Sequence, residues 1–133
     1  MRRLLVPAAL ALGLVFALAT GMFDAPARAG AVIGLDAVKA GLADGSIVLV
    51  DVREADEFAA GHVAGAINMP LSRFDPVALP QPEGKTVVVM CRSGRRSGLA
   101  QTAAVKAGRS DVLDYSGSMN DWLAKGQPLV TGR

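Results

Sequence analysis

The chain has 133 residues, 51% of them apolar and 20% charged, which suits one folded domain and excludes a disordered chain. Fifteen Gly and seven Pro without a triplet period exclude a collagen-like fibre, and the single cysteine excludes an internal disulfide framework or a Cys-rich zinc site. The formal charge of +2 hints at an anionic partner, but the charge is unevenly spread along the chain.

Residues 1–29 read as a secretory signal. Arg2 and Arg3 precede an uncharged stretch of 20 residues from Leu4 to Phe23, and Ala27-Arg28-Ala29 offers small residues at a cleavage site, with the cut after Ala29. The competing reading is an uncleaved membrane anchor, although Pro7, Gly13, Gly21 and the many alanines make the stretch only moderately apolar. Either reading delivers residues 30–133 across a membrane, to a periplasmic or extracellular location or to an outward-facing anchored one. Without the leader, 104 residues remain, carrying 11 basic and 11 acidic side chains. The basicity therefore belongs to the leader, and a nucleic-acid role loses its electrostatic argument. One local exception is Arg92, Arg95 and Arg96, all within five residues.

The first predicted element is a short amphipathic helix on Leu35, Val38 and Leu42, punctuated by Gly41 and Gly45. Ile47 to Val50 is a continuous β-branched and apolar run ended by Asp51, the pattern of a strand buried on both faces of a parallel sheet. Glu54 to Ala60 predicts a helical turn with Phe58 inward, and Ala66-Ile67-Asn68 a short strand. The proline-rich stretch 71–84 reads as an irregular connection. Thr86 to Met90 is the second strong buried strand, followed at once by Cys91. Ser97 to Ala107 predicts a helix with Leu99, Ala100, Ala103, Ala104 and Ala107 on one face and Gly108 as its cap. Val112-Leu113 predicts a short strand, and Met119 to Lys125 a last helix anchored by Trp122 and Leu123. Strands alternating with helices give an α/β fold with a mainly parallel central sheet flanked by helices.

The segment Cys91-Arg92-Ser93-Gly94-Arg95-Arg96 joins a buried strand to a helix. Ligand crevices of open parallel sheets lie at the carboxyl ends of the strands, where Cys91 falls. A tight loop here, with Gly94 permitting its conformation, can aim backbone N–H groups inward as an anion cradle, reinforced by the helix N-terminus. A thiol in that place shifts toward thiolate. A lone cysteine is more commonly an inert core residue, and an arginine cluster a solvated face; here the two features coincide at the end of a core strand. Cys91 is therefore the candidate nucleophile, with Arg92, Ser93, Gly94, Arg95 and Arg96 as candidate groups for an anionic substrate.

The segment Cys91 to Ser97 resembles the active-site loop of the rhodanese family of single-domain sulfurtransferases. Asp51-Val52-Arg53-Glu54, Glu57-Phe58 and the run from Gly61 to Asn68 resemble the family's amino-terminal signature. Gly117, Trp122, Gly126 and Pro128-Leu129-Val130 resemble its carboxyl-terminal one. The likeness runs from about Ile33 to Val130, with one departure at Ser118, where the family commonly has a second glycine. Since Ser118 lies outside the reactive loop, the departure bears on local helix geometry. The resemblance implies a rhodanese-like fold and a persulfide mechanism. Cys91 would take the outer sulfur of thiosulfate or a similar anionic donor and pass it to a thiol, a cyanide-like acceptor or a partner protein. No metal or organic cofactor is implied, and Arg96, at the helix start, is the foremost of the anion-binding arginines.

Asp51 and Arg53 either shape the site or form a structural ion pair. His62 reads as a structural histidine that holds a turn, and Trp122 as a core anchor. Three rival readings remain. Cysteine-dependent phosphatases place an arginine six residues after the cysteine, where this chain has Ser97, its arginine coming one residue earlier. A nucleotide loop at Gly84-Lys85-Thr86 would need a glycine where Leu79 stands. A non-enzymatic sulfur carrier or binding module built on the same fold would keep the same sequence features.

Overall fold

The computed structural model describes residues 30–133; the expected leader, 1–29, lies outside the described residues. Helix α1 (Leu35–Asp44) leads into strand β1 (Ile47–Asp51), followed by α2 (Ala55–Ala60) and β2 (Ile67–Asn68). Strand β3 (Thr86–Met90), α3 (Arg95–Lys106), β4 (Leu113–Asp114) and α4 (Ser118–Ala124) complete the order. The four strands form one all-parallel sheet in the order β2-β1-β3-β4.

The apolar runs of β1 and β3 are continuous because both faces of the sheet are covered. Leu49, Val88 and Met90 pack with Leu35, Val38, Met119 and Trp122 of α1 and α4 on one face. Val50, Val87, Val89 and Cys91 pack with Ala100 and Ala104 of α3 on the other. The alternation along each strand thus assigns Cys91 to the α3 side.

Several boundaries differ from the sequence expectation. Gly41 sits inside α1, buried, because the Ile47 side chain fills the space a Cβ there would need; Gly45, at φ 77°, closes the helix. Helix α3 starts at Arg95, so Arg95 and Arg96 belong to its first turn. Its buried face is Ser97, Ala100, Gln101 and Ala104, whereas Leu99 is half exposed. Small side chains let the helix approach the sheet, and Gln101 Nε2 donates to the carbonyls of Ala31 and Val112, at 2.7 and 3.1 Å.

Strand β4 is one residue later than expected. Backbone bonds from Asp114 N–H to Ala31 O (3.1 Å) and from Ile33 N–H to Asp114 O (3.0 Å) extend the pairing to a polar residue. Trp122 is a core anchor as expected, its Nε1 donating to Pro128 O at 2.9 Å, but Leu123 faces outward. The proline-rich connection is more ordered than its composition indicates. It holds two 3-10 turns, Leu71–Arg73 and Pro76–Ala78; the Asp75 side chain caps the second, and Leu79 is buried after it.

Candidate active site

Cys91 follows β3 directly and is 1% exposed. The loop after it turns at Gly94, whose φ of 98° is left-handed and whose Cα faces the Ser116 carbonyl too closely to admit a Cβ. Both facts require glycine there. The turn aims the Gly94 N–H at Cys91 Sγ, 3.1 Å away. The Ser97 hydroxyl lies 3.6 Å from the same sulfur and the Ser118 hydroxyl 3.9 Å.

Helix α4 pins this loop from the other side. Met119 N–H donates to Cys91 O and Asn120 N–H to Arg92 O, each at 3.0 Å. The Cys91 N–H donates to Ser118 Oγ at 3.0 Å, and that hydroxyl donates to Tyr115 O at 2.8 Å. Ser118 is the one non-glycine residue with positive φ among the described residues, at 54°. Its departure from the family pattern therefore falls inside the site: a residue outside the loop in sequence touches the cysteine in space.

The electrostatics of the sulfur follow from these contacts. Burial pushes the Cys91 thiol up. The N–H and hydroxyl of Ser97, the Gly94 N–H and the Ser118 hydroxyl together outweigh burial, so the net shift is downward from the ordinary value of 9.0. A thiol so placed is equipped for nucleophilic chemistry.

The three arginines separate into two kinds. Arg96 is held by Glu57 of α2, Nη1 to Oε2 at 2.7 Å and Nη2 to Oε1 at 3.0 Å. Arg92 and Arg95 are exposed and make no ion pair among the described residues. Arg92 borders a groove of about 390 Å³ with Met119, Asn120, Leu123, Leu129 and Glu57. A larger hollow of about 780 Å³ beside α2, lined by Phe58, His62, Asn68 and Arg73, includes no residue of the cysteine loop.

Asp51 and Arg53 form a buried ion pair, Nη2 to Oδ2 at 2.7 Å. Arg53 also donates to Gly61 O at 2.7 Å and Glu57 O at 3.4 Å, so it ties α2 to the end of β1. His62 is structural in the expected sense: its Nδ1–H donates to Phe58 O at 2.8 Å and its ring stacks on Phe58 at 3.7 Å. Four residues near the site were not singled out for a role there: Glu57, Ser97, Asp114 and Ser118. Glu57, an acidic residue in a helical first turn, and Ser97, which closes the Cys91 to Ser97 segment, carry a local sequence signal; Asp114 and Ser118 meet the cysteine or its neighbours through tertiary packing.

Known proteins resemble this chain in the same region. The model of the rhodanese-like domain family matches residues 35–125. An uncharacterised protein of Synechocystis is 42% identical over 85 residues, covering 64% of this chain and 48% of its own length. The chain thus spans about half of that relative. A thiosulfate:glutathione sulfurtransferase of Saccharomyces cerevisiae is 38% identical over 96 residues, covering 62% of this chain and 69% of its own. The structure of a human single-domain sulfurtransferase superposes with a TM-score of 0.63 at 30% identity, covering 72% of this chain and 97% of its own.

Proposed function

The chain belongs to the family of rhodanese-like domains, and on that premise we propose that it is a sulfurtransferase carrying sulfur on Cys91. The observation that carries this reading is the setting of one atom: Cys91 Sγ, at the carboxyl end of β3, with the Gly94 N–H 3.1 Å away and the thiol lowered in pKa.

In the first step the Cys91 thiolate attacks the outer sulfur of thiosulfate or a similar anionic donor. The new S–S bond forms as the donor's own S–S bond breaks, and sulfite leaves with the electron pair. In the second step a thiolate acceptor attacks the terminal sulfur, and Cys91 departs as thiolate. The Gly94 N–H stands 3.1 Å from the sulfur, and the Ser93 N–H is the proposed second backbone donor to the incoming anion. Arg92 and Arg95, without ion pairs among the described residues, are the proposed docking cations. Arg96 adds its charge from a position held by Glu57. A thiol acceptor is supported by the yeast relative named for thiosulfate and glutathione. Residues 1–29 are proposed to export the domain, on the strength of the charged start, the apolar stretch and Ala27-Arg28-Ala29.

Intact mass of the protein after thiosulfate treatment tests the chemistry. One added sulfur, lost on addition of a thiol and absent in Cys91→Ser, is the expected result. An unmodified Cys91 together with phosphate-ester hydrolysis would replace this reading with the phosphatase one. A loaded protein that releases no sulfur to small thiols or cyanide would mark a carrier that serves a partner protein only.

A further inference from the structure

One buried acid takes no part in the chemistry above. Asp114 ends β4 in register with Val89 of β3, and Val112, two residues before it, packs under α3. Side chains two residues apart on a strand share a face. Asp114 therefore points to the α3 side of the sheet, the side that carries Cys91. It is 5% exposed and makes no ion pair among the described residues. Its carboxyl faces the first turns of α3: Oδ2 lies 3.9 Å from where a Cβ on Gly98 would stand, Ser97 is its polar neighbour, and Oδ1 has no hydrogen-bond partner. Burial raises its pKa, and Ser97 opposes that rise only in part.

Ser97 stands between this acid and the sulfur. Its hydroxyl has one proton and two acceptors in reach, Gly94 O at 3.1 Å and Cys91 Sγ at 3.6 Å. An ionised Asp114 would draw that proton away from sulfur and set a second negative charge beside the thiolate. A neutral Asp114 does the opposite. Its O–H would be offered to Ser97 Oγ, its polar neighbour on α3, and a hydroxyl that accepts one bond becomes a stronger donor of the next. A buried carboxyl with no cation beside it favours the neutral form.

We propose that Asp114 is a positioning residue, held as the neutral acid, which acts through Ser97 to stabilise the Cys91 thiolate. The proposal deepens the sulfurtransferase reading and rests on it for significance, but its test reads the thiol directly. The groups around the sulfur are the Gly94 N–H, Ser97 and the charged Arg96 of α3, and Ser118 of α4; those around Asp114 are Ser97 and Gly98 of α3.

The test is the rate of Cys91 alkylation by iodoacetamide against pH, in the full chain. Asp114→Leu removes the donor and is expected to raise the midpoint, lowering the rate at neutral pH about fivefold, the scale of one neutral hydrogen bond. Asp114→Asn keeps a neutral donor and is expected to restore the wild-type midpoint. In a Ser97→Ala background Asp114→Leu should change nothing further. A midpoint that falls in both Asp114 variants would mean an ionised carboxylate and overturns the proposal, as does an unchanged midpoint in Asp114→Leu or an additive effect in the Ser97→Ala background. Should Asp114→Leu fail to fold, difference infrared spectroscopy on the wild type decides. A protonated carboxyl band at neutral pH, missing in Asp114→Asn, supports the proposal; no such band overturns it. Loss of sulfur loading with these alkylation results intact would remove the sulfurtransferase reading and leave the Asp114 effect standing.

Discussion

Glu57 of α2 grips both terminal nitrogens of Arg96, at 2.7 and 3.0 Å, and so fastens the first turn of α3 to the opposite wall of the site. The same carboxylate accepts the Glu54 N–H at 3.0 Å, which caps the start of α2. Behind it, Arg53 binds Glu57 O and Asp51. The cysteine loop is thus held from β1 through α2 by a continuous set of polar contacts.

The Arg96 guanidinium beside it takes the Glu57 carboxyl down from 4.5 to about 2, against an opposing push from burial. A depressed carboxylate contributes stability that is complete above its unfolded value and is lost as pH falls through the folded one. Melting temperature should therefore fall between pH 4.5 and about 2 in the wild type, with a smaller drop in Glu57→Gln. At neutral pH the variant should lose about 1 kcal/mol, since the pair is partly exposed. Identical acid profiles for the two proteins would show that the pair does not act in this way.

Gly94→Ala should disable the loop. It would put a side chain at φ 98° and drive a Cβ into the Ser116 carbonyl. Left-handed backbone alone costs about 1–2 kcal/mol, and the collision adds to it. The Gly94 N–H would also leave Cys91 Sγ, so alkylation should slow at neutral pH while the melting temperature drops. A variant with wild-type melting and alkylation would refute the role given to this turn.

Ser118 separates strain from chemistry. Ser118→Gly removes the left-handed strain at φ 54° and also the hydroxyl that receives the Cys91 N–H. Ser118→Ala removes only the hydroxyl. Both should raise the midpoint of Cys91 alkylation. Ser118→Gly should be the more stable of the two by about 1 kcal/mol. Equal stability of the pair would mean the backbone strain is relieved elsewhere, and an unmoved midpoint in both would take Ser118 out of the site.

The readable parts of this chain were those set by local chemistry. Val87 to Val89 announce a strand buried on both faces, and Cys91 followed by Gly94 announces a turn. Where sequence pattern and structure differ, distant residues decide the surroundings. Leu99 and Leu123 look like core residues on their helices, but α3 meets the sheet through Ala100 and Ala104, and α4 through Met119 and Trp122. Asp114 looks like the end of a strand because it is polar, whereas its backbone pairs with Val89 and with Ala31 and Ile33. Ser118 and Glu57 are 27 and 34 residues from Cys91 in sequence, and no local pattern links them to it.

The division among the arginines yields the last prediction. Arg92 and Arg95 are exposed and carry no ion pair among the described residues, whereas Arg96 is bound to Glu57. An exposed cation that docks an anion acts through a screened field, so its removal should weaken donor binding and leave folding alone. Arg92→Ala with Arg95→Ala should raise the thiosulfate KM severalfold, with kcat and melting temperature near wild type. The wild-type KM should climb with salt, and the double variant should respond less. Arg96→Ala should behave differently, lowering melting temperature and kcat together, because it releases the loop from α2. If all three substitutions raise KM alike with no change in melting, Arg96 is a docking group as the other two are, and Glu57 yields it to the donor.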